Sequence, residues 1–109
     1  MEPLSLYSKP ARSDVEVFET LVKTDAVRLE RIVSNGQCSP PDFWYDQAED
    51  EWVVLLQGTA AIRFADGSVT RLAAGDAVKI PRHARHRVDE TSTDAVWLAL
   101  HYKGEPCRT

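Results

Sequence analysis

Two histidines follow a proline closely in this chain, and they are the first residues whose types and spacing suggest chemistry. His83 and His86 come directly after the run Gly75-Asp-Ala-Val-Lys-Ile-Pro81. Gly-Asp predicts a tight turn, residues 77–80 a short strand, and the proline its end, because proline lacks the N–H that a strand ladder needs. This order directs both imidazoles to one place, which is more typical of a pocket than of a surface loop.

Imidazole is a common metal ligand and exchanges its proton near neutral pH. His86 is therefore a candidate ligand or general base, and a hydrogen-bonded core imidazole is the alternative. For His83 the alternative is a solvated position, because surface loops are often simply exposed. His101, near the end of the last apolar run, is a third candidate if it shares an inward face with Trp97. Otherwise it is an exposed strand end.

Glu51 precedes the continuous apolar run 52–56. A carboxylate that faces a core costs free energy unless it is paired or binds a metal. Arg28 and Arg31, from an earlier segment, are its alternative partners. Three further arginines near the histidines form either a solvated rim or a clamp for a carboxylate or phosphate group; they are Arg82, Arg85 and Arg87.

Short apolar or alternating segments separated by turn signals run through the chain, and none has ten residues of helical period. Asp66-Gly67 is a strong hairpin signal. About eight short strands with turns between them predict an antiparallel sandwich or barrel. The predicted strand segments are 15–22, 27–33, 52–56, 59–65, 68–72, 77–80 and 95–100, with residues 44–47 as a further extended segment.

The domain organisation follows from the composition along the chain. Residues 1–13 contain two prolines and no periodicity, which predicts a flexible N-terminal arm. The single barrel domain is predicted over residues 14–103, and residues 104–109 form a C-terminal tail. A chain of 109 residues is long enough for one hydrophobic core and not for two.

The charge balance excludes several classes of partner. A net charge of −4 and a pI of about 5.3 argue against nucleic acid and anionic membrane as partners. No apolar run approaches the roughly 18 residues that span a bilayer, and the first residues lack the features of a signal peptide. Cys38 and Cys107 match no metal-site spacing, and unpaired thiols in a reducing compartment predict a cytoplasmic location.

The stretch around the histidines resembles the second motif of the cupin family, G-x5-P-x-G-x2-H-x3-N. Gly75, Pro81 and His86 match it with the family's spacing. His83 stands at the second glycine position of the motif, and Glu90 stands at its asparagine position.

The family's first motif, G-x5-H-x-H-x3–4-E-x6-G, is matched only at its end, by Glu51-Trp-Val-Val-Leu-Leu-Gln-Gly58. At the two histidine positions this chain has either Tyr45 and Gln47 or Trp44 and Asp46, depending on the spacing. Residues two apart on a strand share a face. We favour Tyr45 and Gln47 as the inward pair, because a tryptophan would crowd a small barrel. Asp46 is the better ligand electrostatically if a bulge turns it inward.

The resemblance covers about residues 27–102 and is closest to small stand-alone bacterial cupins. It implies an all-β fold, a small antiparallel jelly-roll barrel, with a pocket inside one end, and a homodimer. In metal-binding cupins, three imidazoles and one carboxylate hold Fe(II), Mn(II), Ni(II) or Zn(II). Only Glu51 and His86 match that set here, with Gln47 as a neutral third ligand. The resemblance therefore implies a weak or atypical divalent metal site, or none; the other pocket candidates are Asp46, His83, Trp97 and His101.

Three functions are compatible with these residues. The first is a metal-dependent enzyme that polarises a small organic substrate or activates O₂. The second is a metal-free isomerase or epimerase, with His86 or His83 as the base and Tyr45 as the acid across the pocket. The third is a non-catalytic barrel that binds a small organic metabolite. We rank a weak metal site first, and the sequence does not distinguish an enzyme from a binding protein.

Overall fold

The computed structural model describes residues 1–8 and 15–104, and every helix or strand that it contains there is a β-strand. This confirms the all-β prediction. Residues 9–14 and 105–109, which include part of the predicted N-terminal arm 1–13, most of the predicted tail 104–109 and Cys107, lie outside the described residues. The strands are β1 (Val17–Lys23), β2 (Val27–Val33), β3 (Asp50–Gln57), β4 (Thr59–Phe64), β5 (Val69–Ala73), β6 (Ala77–Ile80), β7 (His86–Thr91) and β8 (Val96–Tyr102).

The strands form two antiparallel sheets, as the predicted jelly roll requires. One has five strands in the order β1-β2-β8-β3-β6, and the other has three in the order β5-β4-β7. Buried apolar side chains from both sheets form one core between them. Full burial of a residue such as Leu55 or Ile62 contributes about 1.5–3 kcal/mol each. Among the described residues there is no helix with the length and apolarity that crossing a membrane requires.

The register of β3 and β8 determines which side chains enter the space between the sheets. Glu51 is paired with His101, and Leu55 with Trp97. Because successive side chains on a strand point to opposite faces, these residues share the inner face. Trp52 lies on the outer face and is exposed. The run 52–56 is continuous in apolarity because its outer residues Val54 and Leu56 are also partly buried.

Strand β2 alternates in the same way. Arg28 and Glu30 line the inner face, whereas Arg31 lies on the outer face, where its guanidinium donates to the backbone carbonyls of Ser5 and Ser8. Arg31 also pairs with the Glu19 carboxylate. Arg31 is therefore not the partner of the carboxylate at position 51.

Two local predictions differ from the structure. Strand β7 is absent from the predicted segments. Its sequence is mostly polar, with the charged residues Arg87 and Asp89 on either side of Val88, so it shows no alternation of apolar and polar residues. Residues 44–47 form no regular strand; only Tyr45 makes an isolated antiparallel bridge, to His86. Within the described part of the chain, this bridge replaces the strand that the sequence pattern suggested.

Gly58 and Gly75 allow a matched test of packing at the turn between β3 and β4. Both have positive φ, +88° and +94°, but a Cβ on Gly58 would lie 2.9 Å from the Ala95 Cα, whereas one on Gly75 meets nothing within 4 Å. We expect Gly58→Ala to lower the free energy of unfolding by about 2–4 kcal/mol, the sum of backbone strain and overpacking. Gly75→Ala should cost about 1 kcal/mol, from strain alone. Equal losses in urea unfolding would contradict this.

Candidate functional site

A cavity of about 240 Å³ opens between the two sheets. Apolar surface combined with convergent polar groups is the usual form of a small-molecule site. Its apolar wall includes Val53, Ile62 and Trp97. The polar and charged residues that line it are Glu16, Arg28, Glu30, Tyr45, Gln47, Glu51, His86 and His101.

His86 begins β7 and is held in one orientation by two neighbours. Its Nδ1 lies 2.8 Å from the backbone oxygen of Ala84. A carbonyl oxygen only accepts hydrogen bonds, so Nδ1 carries a proton, and in the neutral ring Nε2 carries the lone pair. The Tyr45 ring stacks on the imidazole, with centroids 5.3 Å apart and planes 22° apart. His86 is 5% exposed, so this geometry is largely shielded from water.

Glu51 faces His86 from the opposite sheet. Its Oε1 lies 3.8 Å from the Nε2 of His86, and Glu51 is only 8% exposed. Burial raises the pKa of the Glu51 carboxyl, and the nearby imidazoles of His101 and His86 oppose that rise. Two atoms with lone pairs thus face each other in a poorly hydrated place. A proton or a cation between them relieves the repulsion.

A second histidine–carboxylate pair lies on the same wall as Glu51. The Nε2 of His101 and the Oε1 of Glu30 are 2.9 Å apart, and both residues are buried. This hydrogen bond, followed by the charge of Arg28, holds the pKa of the Glu30 carboxyl below its usual value. Arg28 lies 3.5 Å from Glu30 and 3.4 Å from Glu49. Glu30 therefore stays ionised where Glu51 resists ionisation.

The predicted site residues do not include Glu16, Arg28 or Glu30. Arg28 is predicted only as an alternative partner of Glu51. The available signal was the spacing of Arg28, Glu30 and Ile32, which alternate on one face of β2 and so carry two charges toward the cavity. Glu16 accepts a hydrogen bond from the Ser34 hydroxyl, which in turn accepts one from Trp97 Nε1 at 3.2 Å.

Tyr45 and Gln47 line the cavity, as the favoured choice of inward pair predicts, and Trp44 and Asp46 do not line it. Tyr45 lies beside His86 rather than across the pocket from it. The bridge explains this placement: Tyr45 N–H donates to His86 O at 2.7 Å, and His86 N–H to Tyr45 O at 3.1 Å. Two residues bridged in this way extend their side chains on the same side of the sheet.

His83 and Asp46 meet at the surface, outside the cavity. His83 Nδ1 is 2.8 Å from Asp46 Oδ1, and their side chains are 65% and 49% exposed. His83 has a φ of +62°, at the position where the cupin motif has glycine. The left-handed backbone at this position explains why glycine suits it.

The three arginines that follow Pro81 have partners of their own and do not line the cavity. Arg82 pairs with Asp50 at 3.1 Å, and Arg87 with Asp89 at 3.2 Å. The Arg85 guanidinium lies 5.6 Å from the ring centroid of Trp44. They form a paired rim rather than a clamp for an anion in the cavity.

The donors near His86 offer few strong ligands to a divalent metal. In residues 1–8 and 15–104, no group of three or more His, Cys, Asp or Glu side chains is placed to hold one. Glu51 and His86 are 3.8 Å apart, less than twice the normal metal–ligand distance of about 2.0–2.2 Å, so they fit a shared ion. Gln47 adds only a neutral amide oxygen, and His101 Nε2 is engaged by Glu30. The donor set fits weak binding at most.

The comparisons with known proteins agree with this architecture. The family model of the cupin domain matches residues 30–101. The match covers well over half of the chain, and the chain belongs to the cupin family. A search of curated proteins finds no match.

Among solved structures, the chain is similar to a protein of Ralstonia eutropha JMP134 described as a "putative mannose-6-phosphate isomerase". The two are 38% identical with a TM-score of 0.88, over 95% of this chain and 100% of that one. A cupin superfamily protein of Desulfitobacterium hafniense DCB-2 is 23% identical, with a TM-score of 0.79 and coverage of 94% and 92%. An RmlC-like cupin of Desulfovibrio desulfuricans is 17% identical, with a TM-score of 0.75 and coverage of 94% of this chain and 96% of that one. These last two show the fold alone.

The two buried glutamates should respond in opposite ways to the same substitution. Glu51→Gln should stabilise the protein at about pH 8 and lose that advantage toward about pH 4, because a raised pKa makes the folded state lose stability as its carboxyl ionises. Glu30→Gln should cost about 1–2 kcal/mol at about pH 7, because it removes an ionised hydrogen-bond partner, and the difference should vanish as the pH falls and Glu30 is protonated.

Urea unfolding across this pH range measures both effects. Glu90→Gln is the matched control, because Glu90 is exposed and its partner among the described residues is the exposed Arg71; it should change stability by less than about 1 kcal/mol. Shifts of the same sign for Glu51→Gln and Glu30→Gln would contradict the environments described above.

Proposed function

We propose that this cupin acts on a small organic metabolite in the barrel cavity, with His86 as the base, Glu51 as the neighbour that shares its proton, and Tyr45 as the acid. The observation that carries the proposal is the fixed imidazole: with its proton on Nδ1 bonded to Ala84, Nε2 presents a lone pair beside the Glu51 carboxyl at 3.8 Å. A group that accepts a proton and a neighbour that shares it are what carbon–proton abstraction needs.

The reaction class that this geometry favours is proton transfer next to a carbonyl, as in aldose–ketose isomerisation. Nε2 of His86 takes the proton from carbon, and the electron pair becomes the double bond of an enol. The carbonyl oxygen receives a proton from the Tyr45 hydroxyl, which gives an enediol. His86 then returns its proton to the former carbonyl carbon, while the hydroxyl on the neighbouring carbon gives its proton to the Tyr45 oxygen and becomes the new carbonyl, so both residues are regenerated. Tyr45 and His86 lie side by side, which suits transfer along one face of a substrate better than inversion at one carbon.

The sequence similarity to the Ralstonia eutropha protein gives this proposal its first substrates. That protein is 38% identical and is described as an isomerase of a sugar phosphate. Mannose and fructose, each free and as its 6-phosphate, are therefore the compounds to assay first. The similarity supports the choice of sugars, while the residues of this cavity carry the argument for proton transfer.

Solvent exchange measures the proposed chemistry directly. When the protein is incubated with these sugars in D₂O, deuterium should replace the proton on the carbon beside the carbonyl. Proton NMR measures the loss of that proton signal over time. His86→Gln and Glu51→Gln should slow the exchange at least about 100-fold, while Glu90→Gln leaves it unchanged. Exchange that survives in His86→Gln would overturn the assignment. Binding of a sugar without exchange would favour the non-catalytic barrel instead.

A weakly bound divalent cation is the second candidate, because Glu51, His86 and Gln47 share the cavity wall. Fe, Mn, Ni or Zn held there would polarise a carbonyl oxygen of the bound metabolite. Protein purified without a histidine tag should then show a thermal shift with one of these ions, and His86→Ala should abolish it while Glu90→Gln keeps it. The absence of any shift in the wild type would remove this candidate.

The homodimer and the cytoplasmic location stay predictions. The outer edge of β1 has no partner strand among the described residues, and such an edge offers pairing to a second copy. A molecular mass in solution near twice the 12.2 kDa of the chain would support the dimer.

A further inference from the structure

The polar wall of the cavity carries more negative than positive charge. The carboxylates of Glu16 and Glu30 line it, together with the Glu51 carboxyl, whose pKa burial raises. Against them stands one guanidinium among the described lining residues, that of Arg28. Arg28 is already shared between Glu30 and a carboxylate outside the cavity. The two imidazoles of the wall each face a carboxylate as well. An anionic ligand would therefore meet no unpaired cation among the described residues of this wall.

Independently of these charges, the wall contains a buried acceptor that lacks a donor. His101 is 3% exposed and lines the cavity. Its Nε2 is bonded to Glu30, but its Nδ1 has no hydrogen-bond partner within the described residues. When the Nε2–H of a neutral imidazole donates to a carboxylate, the Nδ1 of the same ring is an acceptor. Buried polar atoms are normally satisfied, so this side chain makes one hydrogen bond fewer than its ring can make.

The same cavity presents aromatic surface close to its carboxylates. Phe18 lines it and is half exposed, which places this ring at the open side. The Tyr45 ring lines the interior and lies stacked on His86. Ammonium groups bind against aromatic faces as well as to carboxylates. Burial, and then the charges of Glu16, Glu51 and Glu30, raise the pKa of the Tyr45 hydroxyl.

We propose that the cavity binds a small metabolite that bears a protonated amine, and that it discriminates against phosphorylated or carboxylated analogues of the same skeleton. The amine donates to the carboxylates and neutralises part of the charge of the wall. This inference rests on the proposed function only in using the same cavity, and it names the class of ligand that the cavity takes.

Three compounds with one three-carbon skeleton test the preference: 3-amino-1,2-propanediol, glycerol and glycerol 3-phosphate. Each is titrated into ¹⁵N-labelled full-length protein at a pH where the amine is protonated, and amide shifts of cavity residues report binding. We expect the amine to bind at least ten times more tightly than glycerol, and glycerol 3-phosphate to bind most weakly. Equal binding of all three, tighter binding of the phosphate, or no binding of the amine would overturn the proposal.

Variants of the wall connect the preference to its cause. Glu30→Gln and Glu16→Gln each remove one negative charge at nearly constant volume, and each should weaken amine binding several-fold while leaving glycerol unaffected. Glu90→Gln, the same substitution on an exposed part of β7, should leave both unchanged. Since Glu30 also bonds His101, the Glu16 variant keeps the test valid if Glu30→Gln unfolds. Amine binding that is unchanged in Glu16→Gln and in every folded Glu30 variant would overturn the proposal.

These measurements separate this proposal from the proposed proton transfer. Amine selectivity without any solvent exchange would overturn the acid–base role of His86 and leave the ligand class intact. Exchange on neutral or phosphorylated sugars together with no amine preference would do the reverse.

Discussion

The structure depends on a single electrostatic constraint: a carboxyl and an imidazole lone pair face each other in the space between two sheets. Glu51 comes from the five-stranded sheet and His86 from the three-stranded one, so the contact joins the two layers. Both residues are largely buried, and both line the cavity. A proton, a cation or a ligand donor between the two groups lowers the free energy of the site. The space between the two sheets therefore holds a reactive pair of side chains as well as a hydrophobic core.

The cavity wall shows how one residue type takes two different states within one protein. Glu30 and Glu51 both come from strands of the same sheet, and both face inward. Glu30 has a hydrogen bond from His101 and a nearby arginine, which favour its charged form. Burial of Glu51 favours its neutral form, and the nearby imidazoles of His101 and His86 oppose this effect without a hydrogen bond to its carboxyl. Pairs of carboxyl groups whose environments separate their pKa values are a common basis of acid–base function.

The chain departs from the cupin motif in ways that the backbone explains. Where the family has two histidines, this chain has Tyr45 and Gln47, which keep the inward direction but supply no imidazole. His83 occupies a left-handed position that the motif gives to glycine, and its ring turns outward to Asp46. The departures reduce the number of strong metal ligands and leave a hydrogen-bonding wall.

The sequence by itself determined the fold class, the turns and the matched pair Glu51 and His86, because strand periodicity and glycine–proline punctuation are local properties of the chain. Tertiary structure alone decided that Glu30 and Arg28 belong to the site, since their inward direction depends on the register of β2 against β8. It also decided that Tyr45 lies beside His86 and that His83 lies outside the cavity. A bridge between residues far apart in the chain, or a positive φ at one residue, produces no periodic pattern in the sequence. Long-range pairing, rather than local propensity, sets where each of these side chains points.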